Sequence, residues 1–416
     1  MRSIIRSALA IGGLALAACA GPDVPAPKIA PGAPGDAPTW SNAEKIGIGT
    51  AYEAYDADGQ YSDKSPTAPI SKVWFSVGKD RITEVMWGLI HEAQIREIRY
   101  ILVGPDGVMI PDRVSAAPMR GDIDGIGHPL PVHMQRLVYD GGDVELRAQA
   151  VTDPDNQTLI STFQLMSERD DLRVFAYIDP ALANTGTGDR AWVDGTHLYA
   201  QDGEAALAIG GLYPLNLART VGFVGATDLM ADVLAGTASE STGDDVGNVE
   251  MLVEIPFPDG GLKGGGLYVG FGETADAAKA SVDASRAKTV DRLFDDYVDG
   301  WLGYLKALEH LPTVRAQAID DGDLASMSAI NLKIMEDKTH AGALIASLSN
   351  PWGETAPADQ PQTGYKAVWP RDFFQVASAF LALGDADTAL AAYRYLPMVQ
   401  VTDDTPGNSG VTGWFL

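Results

Sequence analysis

The period of the hydrophobic residues changes once along this chain, and that change most limits the folds available to it. From about residue 41 to residue 275, apolar and polar residues alternate with a period of two, and Gly-, Pro- and Asp-rich turns separate the runs. The clearest predicted strands are 72–77, 82–87, 98–103, 144–151, 159–166, 172–178, 249–257 and 267–271. Because no stretch resembles a strand–helix–strand unit, the pattern predicts one large antiparallel β-sandwich.

The period then lengthens to three and four residues, which is typical of amphipathic helices. In residues 275–308 the apolar positions at this spacing are Val290, Leu293, Phe294, Tyr297, Trp301, Tyr304 and Leu308. Residues 323–337 and 372–383 repeat the pattern. Gly384 is predicted to end the helix over 372–383, and Asp387 to cap a further helix over 388–396. Helices joined by such short turns form αα-hairpins, the repeating unit of a helical barrel.

Together the two periods predict a multidomain β + α chain. The predicted order is a β-sandwich over residues 41–275, a linker helix over 276–312, and the first helices of an α-helical domain over 313–416. A long sandwich suits binding or scaffolding, but a fold alone decides no function. The function therefore has to be argued from particular residues.

The charge and the metal-binding residue types exclude several classes of partner. Acidic residues outnumber Lys and Arg by 56 to 30, giving a formal net charge of −26. A surface this negative repels phosphate, so nucleic acid is not expected as a partner. One Cys and six His, with no HExxH motif, offer no recognisable metal site. We therefore expect no cofactor, and no motif supports a structural calcium ion. Neutral substrates such as sugars remain open.

The N-terminal residues have the features of a bacterial lipoprotein signal. Two Arg residues precede a short apolar run that ends in Leu16-Ala17-Ala18-Cys19. This ending resembles the lipobox, in which small residues precede a Cys that becomes lipidated. Residues 1–18 are therefore predicted to be a signal peptide and the Pro-rich residues 19–40 a tether. Because Ala20 rather than Asp follows the Cys, the prediction is an exported protein held at the outer membrane through Cys19; the alternative is an ordinary signal peptide.

The residues that carry chemistry lie in the last hundred. Trp369-Pro370-Arg371-Asp372 combines an aromatic face, a guanidinium and a carboxylate at a loop-to-helix junction, where Asp372 is predicted to cap the helix. An aromatic ring can stack on the C–H face of a sugar, while Arg and Asp bind its neighbouring hydroxyls. The alternative is purely structural: an Arg–Asp ion pair and a packed Trp at a helix start.

Two segments resemble glycoside hydrolase family 15, in its bacterial glucoamylase and glucodextranase group. These are Lys338-Thr-His-Ala-Gly-Ala-Leu-Ile-Ala-Ser-Leu-Ser-Asn-Pro-Trp-Gly353 and Tyr365-Lys-Ala-Val-Trp-Pro-Arg-Asp372. The strands around residues 73–103 are similar to the N-terminal β-sandwich of that group. Two departures, Lys366 in place of a frequent His and Met86-Trp87 in place of an aromatic-Pro pair, concern substrate preference.

The resemblance implies an (α/α)6 barrel that releases β-glucose from the non-reducing ends of α-glucans by inverting hydrolysis. Carried over residue by residue, Arg371 and Asp372 bind the hydroxyls of the terminal glucose, and Tyr365 and Trp369 form the walls of that subsite. Such hydrolysis needs two carboxyl groups about 6.5–9.5 Å apart. In the family both are Glu residues downstream of the Trp-Pro-Arg-Asp segment, so we expect them beyond Leu416 and expect no catalytic Glu pair within these residues.

The resulting hypothesis is an exo-acting glucan α-glucosidase whose first 416 residues are inactive alone and hold an incomplete barrel. The leading alternative is a non-catalytic glycan-binding surface lipoprotein built on the β-sandwich. A third is another (α/α)6 sugar enzyme with a β-sandwich in front, such as a phosphorylase. For the exo-glucosidase, the expected partners are an α-glucan oligosaccharide or polysaccharide and the membrane through Cys19.

Overall fold

The computed structural model describes residues 45–62, 69–258, 263–348 and 367–404. Within these ranges the chain forms two antiparallel sheets, and seven helices accompany them. In spatial order, the first sheet consists of β1 (Gly47–Thr50), β2 (Val73–Val77), β3 (Arg81–Trp87), β4 (Ala93–Gly104), β10 (Arg173–Pro180), β15 (Val249–Glu254) and β14 (Arg219–Phe223), with β5 (Gly107–Val108) paired to β4.

The second sheet has eight described strands, all paired antiparallel. In spatial order they are β11 (Arg190–Asp194), β12 (His197–Asp202), β13 (Ala205–Gly211), β16 (Lys263–Gly272), β9 (Thr158–Met166), β8 (Val144–Thr152), β7 (Ile126–Tyr139) and β6 (Arg113–Ile123). The inward residues of the two sheets share one apolar core. Across it the Tyr100 hydroxyl of β4 donates to the Ser161 carbonyl of β9 at 3.0 Å. The predicted antiparallel sandwich is thus confirmed.

One predicted strand is too long, and one hairpin is absent from the predictions. The strand predicted over 249–257 ends at Glu254, because Pro256 has no N–H to continue the ladder. The long hairpin of β6 and β7 was not predicted, although Asp124 and Gly125 form its turn with positive φ values of 54° and 84°. Positive φ at both turn residues suits Asp-Gly, a strong hairpin signal.

The helices are α1 (Leu229–Ala235), α2 (Ala275–Arg286), α3 (Val290–Ala307), α4 (Leu311–Ala316), α5 (Asp323–Ile334), α6 (Pro370–Leu383) and α7 (Ala386–Val399). The helix predicted over 275–308 is two helices, because Thr289 caps α3 by accepting from the Arg292 N–H at 3.2 Å. The cap of α7 is Asp385 rather than the predicted Asp387; its carboxylate accepts from the Thr388 N–H at 3.0 Å. The prediction that Gly384 ends a helix is confirmed, and its φ is 93°.

Helices α2 and α3 join the sandwich to the later helices. Helix α2 packs on β16 and β13 of the second sheet. Helix α3 directs Tyr297 and Trp301 into a second apolar core, where the Trp301 Nε1–H donates to the Thr50 carbonyl at 2.9 Å. The α6–α7 hairpin packs around buried Phe373 and Phe380. This arrangement fixes the start of α6 relative to the β-sandwich.

Candidate substrate-binding site

Trp369, Arg371 and Asp372 come together where α6 begins. The helix starts at Pro370, and Trp369 occupies the N-cap position with an extended backbone, φ −91° and ψ 122°. Proline suits the first helical position because its φ is already helical and its missing N–H would have no helical partner there. Asp372 therefore lies inside the first turn rather than at the cap, which corrects the prediction, and a carboxylate in that turn is favoured by the helix dipole.

These three side chains are accessible. Trp369 is 46% exposed, Arg371 is exposed and Asp372 is half-buried. Phe373, the next residue, is buried, and its ring lies 6.5 Å from that of Tyr395 on α7, which anchors the first turn of the helix. Across the described ranges, no hydrogen bond or ion pair involves the side chain of Arg371 or Asp372. Within the described residues, both charged groups are therefore available to a ligand.

The chemistry of this group suits binding rather than proton transfer. The Arg371 guanidinium supplies several donors, the Asp372 carboxylate supplies acceptors, and the Trp369 ring offers an apolar face. Neighbouring hydroxyl groups of a sugar present donors and acceptors together, as this set requires. Tyr365, the fourth predicted member, lies outside the described residues, as does the predicted lipidation site Cys19.

The chain that leads toward α6 is fixed to the β-sandwich by Lys338. This side chain is 5% exposed, and its Nζ donates to Thr50 Oγ1 at 2.8 Å, to the Ala51 carbonyl at 2.7 Å and to the Ser71 carbonyl at 2.9 Å. Nζ also lies 5.4 Å from the centroid of the Trp74 ring. All three ammonium hydrogens thus have acceptors on the sandwich, which compensates the cost of burying the charge.

Asp337 fixes the same segment from the neighbouring position. Its Oδ2 accepts from the Ile90 N–H of the sandwich at 3.1 Å, and its Oδ1 accepts from the N–H groups of Thr339 and His340 at 2.6 and 2.8 Å. Burial raises the pKa of Asp337, but hydrogen bonds from the His340 ring and from these backbone groups outweigh it and lower the pKa. The same contact raises the pKa of His340. Asp337 is therefore ionised, and its carboxylate stabilises the turn over residues 337–340.

Glu336 is the centre of a buried cluster between the helices and the loop after β1. Its carboxylate lies 2.6 Å from Lys333 Nζ, with both side chains at most 4% exposed. The hydroxyls of Tyr55 and Tyr61 donate to its two oxygens, and the two phenol rings stack 4.6 Å apart. Lys333 Nζ also donates to Thr388 Oγ1 on α7 at 2.8 Å. Burial and the Glu336 carboxylate raise the pKa of both tyrosines far above the usual range, so that they stay protonated donors.

Sequence patterns alone did not predict the cluster of Glu336 with Tyr55 and Tyr61. The sequence did hold one usable signal. Glu336-Asp337-Lys338 are three successive charged residues that follow the apolar helix α5, where exposure to solvent alone would not require them. No comparable signal exists for Tyr55 and Tyr61, because they lie in a loop some 280 residues upstream of their partner.

Among the described residues, no group of three His, Cys, Asp or Glu is arranged to hold a metal ion. In the same ranges, no helix is both long enough and apolar enough to cross a bilayer.

The fold and the site define a class before any comparison is made. A large antiparallel sandwich is joined through α2 and α3 to helical hairpins, and one of these presents an aromatic ring, an Arg and an Asp at its helix start. This arrangement is that of a multidomain protein with a β-sandwich in front of an α-helical domain. Comparison with known proteins identifies the family.

The chain belongs to the glucoamylase and glucodextranase group of glycosyl hydrolases family 15: the model of glucodextranase domain N matches residues 30–306, and that of glycosyl hydrolases family 15 matches residues 321–402. The family predicted from residues 338–372 is thereby confirmed.

Two relatives show the extent of the similarity. A glucoamylase of Clostridium sp. (strain G0005) is 28% identical over 400 residues, which cover 91% of this chain and 51% of the relative. The crystal structure of a bacterial glucoamylase complexed with acarbose matches with a TM-score of 0.70 and 25% identity, over 88% of this chain and 51% of that one. The chain thus spans about half the length of both relatives.

Proposed function

We propose that the protein is an exo-acting glucan α-glucosidase of the glucoamylase or glucodextranase type, which releases glucose from non-reducing ends by inverting hydrolysis. The observation that carries this proposal is the start of α6, where Trp369, Arg371 and Asp372 stand accessible in a family 15 segment. Arg371 and Asp372 bind neighbouring hydroxyls of the terminal glucose, while Trp369 and Tyr365 form the walls around the ring. The acarbose complex of the related glucoamylase supports an oligosaccharide ligand.

The exposed apolar residues of α6 and α7 support an (α/α)6 barrel around this site. Five large side chains of the two helices are between 45% and 72% exposed: Phe374, Leu381, Leu390, Tyr393 and Met398. Soluble proteins rarely expose so many large apolar groups on neighbouring helices unless another surface covers them. Further helices packed against α6 and α7 would cover them.

The acid and base of the reaction are expected outside these 416 residues. Inverting hydrolysis needs a carboxylic acid that protonates the leaving oxygen and a carboxylate that activates water on the opposite side. Asp372 is assigned to hydroxyl binding, and the family resemblance supports two Glu residues beyond Leu416 as the acid and the base. The polypeptide of residues 1–416 is therefore expected to bind a glucan end without hydrolysing it.

Two measurements test this proposal together. The gene is read beyond codon 416, and the 416-residue polypeptide is compared with the product of any continued frame by proton NMR of maltotetraose digestion. The proposal predicts a continued frame with two Glu residues, release of β-glucose by its product, and none by the 416-residue polypeptide. A frame that stops at codon 416 would instead favour the non-catalytic glycan-binding lipoprotein, and glucose release by the 416 residues would refute the assignment of the catalytic pair.

The membrane anchor is a separate proposal that depends on Cys19. Small residues precede the single Cys of the chain, and a Pro-rich segment follows it. Lipidation there would hold the protein at the outer membrane of the bacterial envelope, with the sandwich held away from the bilayer by the tether. Metabolic labelling with radioactive palmitate should mark the wild type and leave Cys19→Ser unlabelled. A labelled Cys19→Ser protein, or an unlabelled wild type, contradicts the anchor.

A further inference from the structure

The outer face of the second sheet carries a groove that is separate from the start of α6. It has a volume of about 620 Å³. Its floor consists of two cross-strand rows: Arg147, Gln164 and Gly264 on β8, β9 and β16, then Gln149 and Thr162 on β8 and β9. The rows lie about 7 Å apart, because successive residues on one face of a strand are two positions apart. Polar side chains thus cover the β8 and β9 part of the floor, and glycines leave the β16 part open.

Apolar and acidic side chains border this floor. Tyr213, which is 39% exposed, lines the groove near β16, where the Leu212 N–H bonds to the Gly266 carbonyl at 2.9 Å. At the first turns of α3, Phe294 contributes an aromatic ring and Asp291 and Asp295 contribute exposed carboxylates. The groove therefore offers aromatic faces beside hydrogen-bonding groups.

Two polar side chains of the floor, Gln149 and Arg147, have hydrogen-bonding atoms without a partner among the described residues. Gln149 Oε1 is buried and accepts no hydrogen bond from any described residue. Arg147 is held in place through Nε, which donates to Glu145 Oε1 at 2.5 Å, while the second Glu145 oxygen accepts from Arg136 at 2.5 Å. The two Nη groups of Arg147 have no hydrogen-bond partner within the described part of the chain. A buried acceptor without a donor is unfavourable, so a rotation of the Gln149 side chain that brought Oε1 to a ligand hydroxyl would gain a hydrogen bond.

The mixture of groups selects a ligand class. Donors from Arg147 and acceptors from Gln149 and Asp291 in one groove match hydroxyl groups, which donate and accept. Anionic ligands are disfavoured by Asp291 and Asp295 and by the net charge of −26. An apolar peptide would leave the polar rows unpaired. A neutral chain of sugar rings, with C–H faces against Tyr213 and Phe294, satisfies both kinds of group.

We propose that this groove on the β-sandwich is a second glycan-binding site, which holds a neutral α-glucan chain separately from the site at α6. The choice of an α-glucan rests on the proposed function; the groove itself rests on Arg147, Gln149, Gln164 and Tyr213. Such a site would attach the protein to polysaccharide through its β-sandwich.

Calorimetric titration of the 416-residue chain with maltoheptaose tests the proposal. The titration is done in an Arg371→Ala/Asp372→Ala background, which removes the side chains assigned to the α6 site. Tyr213→Ala and Gln164→Ala are then added, each with a matched control. Leu217→Ala lies in the same connection as Tyr213 and changes a residue that is 46% exposed, and Met166→Ala changes an outward residue of β9 that is 44% exposed. Neither control residue lines the groove.

The expected result is residual binding that Tyr213→Ala and Gln164→Ala each weaken at least tenfold, while both controls leave it unchanged. If the Arg371→Ala/Asp372→Ala background binds nothing but the wild type binds maltoheptaose, the groove proposal fails and the proposed function survives. If binding persists and none of the four substitutions changes its affinity, the groove proposal is likewise refuted. If neither protein binds, the groove proposal and the proposed glucan ligand both fail.

Discussion

Lys338 Nζ lies 2.8 Å from Thr50 Oγ1, and this contact joins residues 288 positions apart in the chain. Thr50 ends β1, and its carbonyl accepts from Trp301 Nε1 of α3 while its hydroxyl donates to the Val73 carbonyl at 2.6 Å. One strand end thus binds the linking helix, the next strand and the segment that leads toward α6. The sandwich thereby holds the segment around Lys338, which precedes α6 in the chain.

Replacing Lys338 with Met should destabilise the protein by about 3 kcal/mol. The substitution keeps most of the side-chain volume but leaves the carbonyls of Ala51 and Ser71 buried without their donor, each at a cost of about 1–3 kcal/mol. Urea unfolding measures the change. Lys306→Met is the control, because that side chain is 66% exposed and its ion pair with Asp124 is long, at 3.8 Å, so the pair contributes little. Equal midpoints for the two variants would contradict the assigned role.

The Glu336 cluster should be as sensitive as Lys338. Glu336→Gln leaves Lys333 as a buried ammonium without its counter-ion, and breaking a buried pair from one side costs about 3–5 kcal/mol. Glu240→Gln is the matched control, since the Glu240 carboxylate is 61% exposed in its pair with Arg219 and should cost under about 1 kcal/mol. Thermal unfolding measures the stability of both variants. A melting temperature for Glu336→Gln equal to that of wild type would show that the Lys333–Glu336 pair contributes nothing to stability.

The order of the fold could be predicted from the sequence because hydrophobic period reports directly which face of an element is buried. The change of period near residue 275 located the first long helices correctly, yet it could not show that Thr289 divides them. A cap depends on one hydrogen bond, and the spacing of the apolar residues does not change where the cap interrupts the helix. The same limit explains the prediction for Asp387: Asp385 and Asp387 both lie at the start of the helix, and only the backbone geometry shows that Asp385 is the cap.

The candidate site was predicted only in part. Trp369, Arg371 and Asp372 are contiguous, so local sequence was sufficient to bring them together. Lys338 lay inside the family-like segment, but its partners Thr50, Ala51 and Ser71 come from distant strands. Contacts of that kind follow from the packing of domains, which hydrophobic periodicity does not encode.

Acid should destabilise the protein through His133. Burial lowers the pKa of His133 from 6.5 to about 4 in the fold, where its ring packs against Gly47 and Nδ1 has no described partner. The unfolded chain therefore binds this proton more tightly. Its contribution is fully present above pH 6.5 and falls by roughly 3 kcal/mol as the pH drops to 4.

Urea unfolding between pH 7 and pH 4 measures this slope. His133→Gln should have a shallower loss of stability than wild type across that window, whatever its stability at pH 7. His310→Gln, which changes an exposed histidine, should keep the wild-type slope. An unchanged slope for His133→Gln would show that His133 does not set the acid response.

Gly270 should be irreplaceable where α2 crosses β16. A methyl group there would lie 2.4 Å from the Ala278 carbonyl oxygen and 2.8 Å from Val282 Cγ2, so α2 would have to shift at a cost of about 1–3 kcal/mol or more. Gly303→Ala is the opposite control: it lies exposed in α3 with nothing near its added methyl, and should stabilise by about 0.5–1 kcal/mol. Chemical denaturation should therefore give changes of opposite sign, and a stable Gly270→Ala would disprove the close approach.

The proposed binding of a terminal glucose at the start of α6 is measured by calorimetric titration with maltotetraose. The titration uses the Tyr213→Ala background, so that the groove on the second sheet does not contribute. Asp372→Asn is compared with Asp387→Asn, which removes a carboxylate from the first turn of α7 instead. We expect at least a tenfold weaker affinity for Asp372→Asn and no change for Asp387→Asn, because the lost charge-assisted hydrogen bonds are worth about 1.5–3 kcal/mol. Equal affinities in all three proteins would contradict the proposed binding.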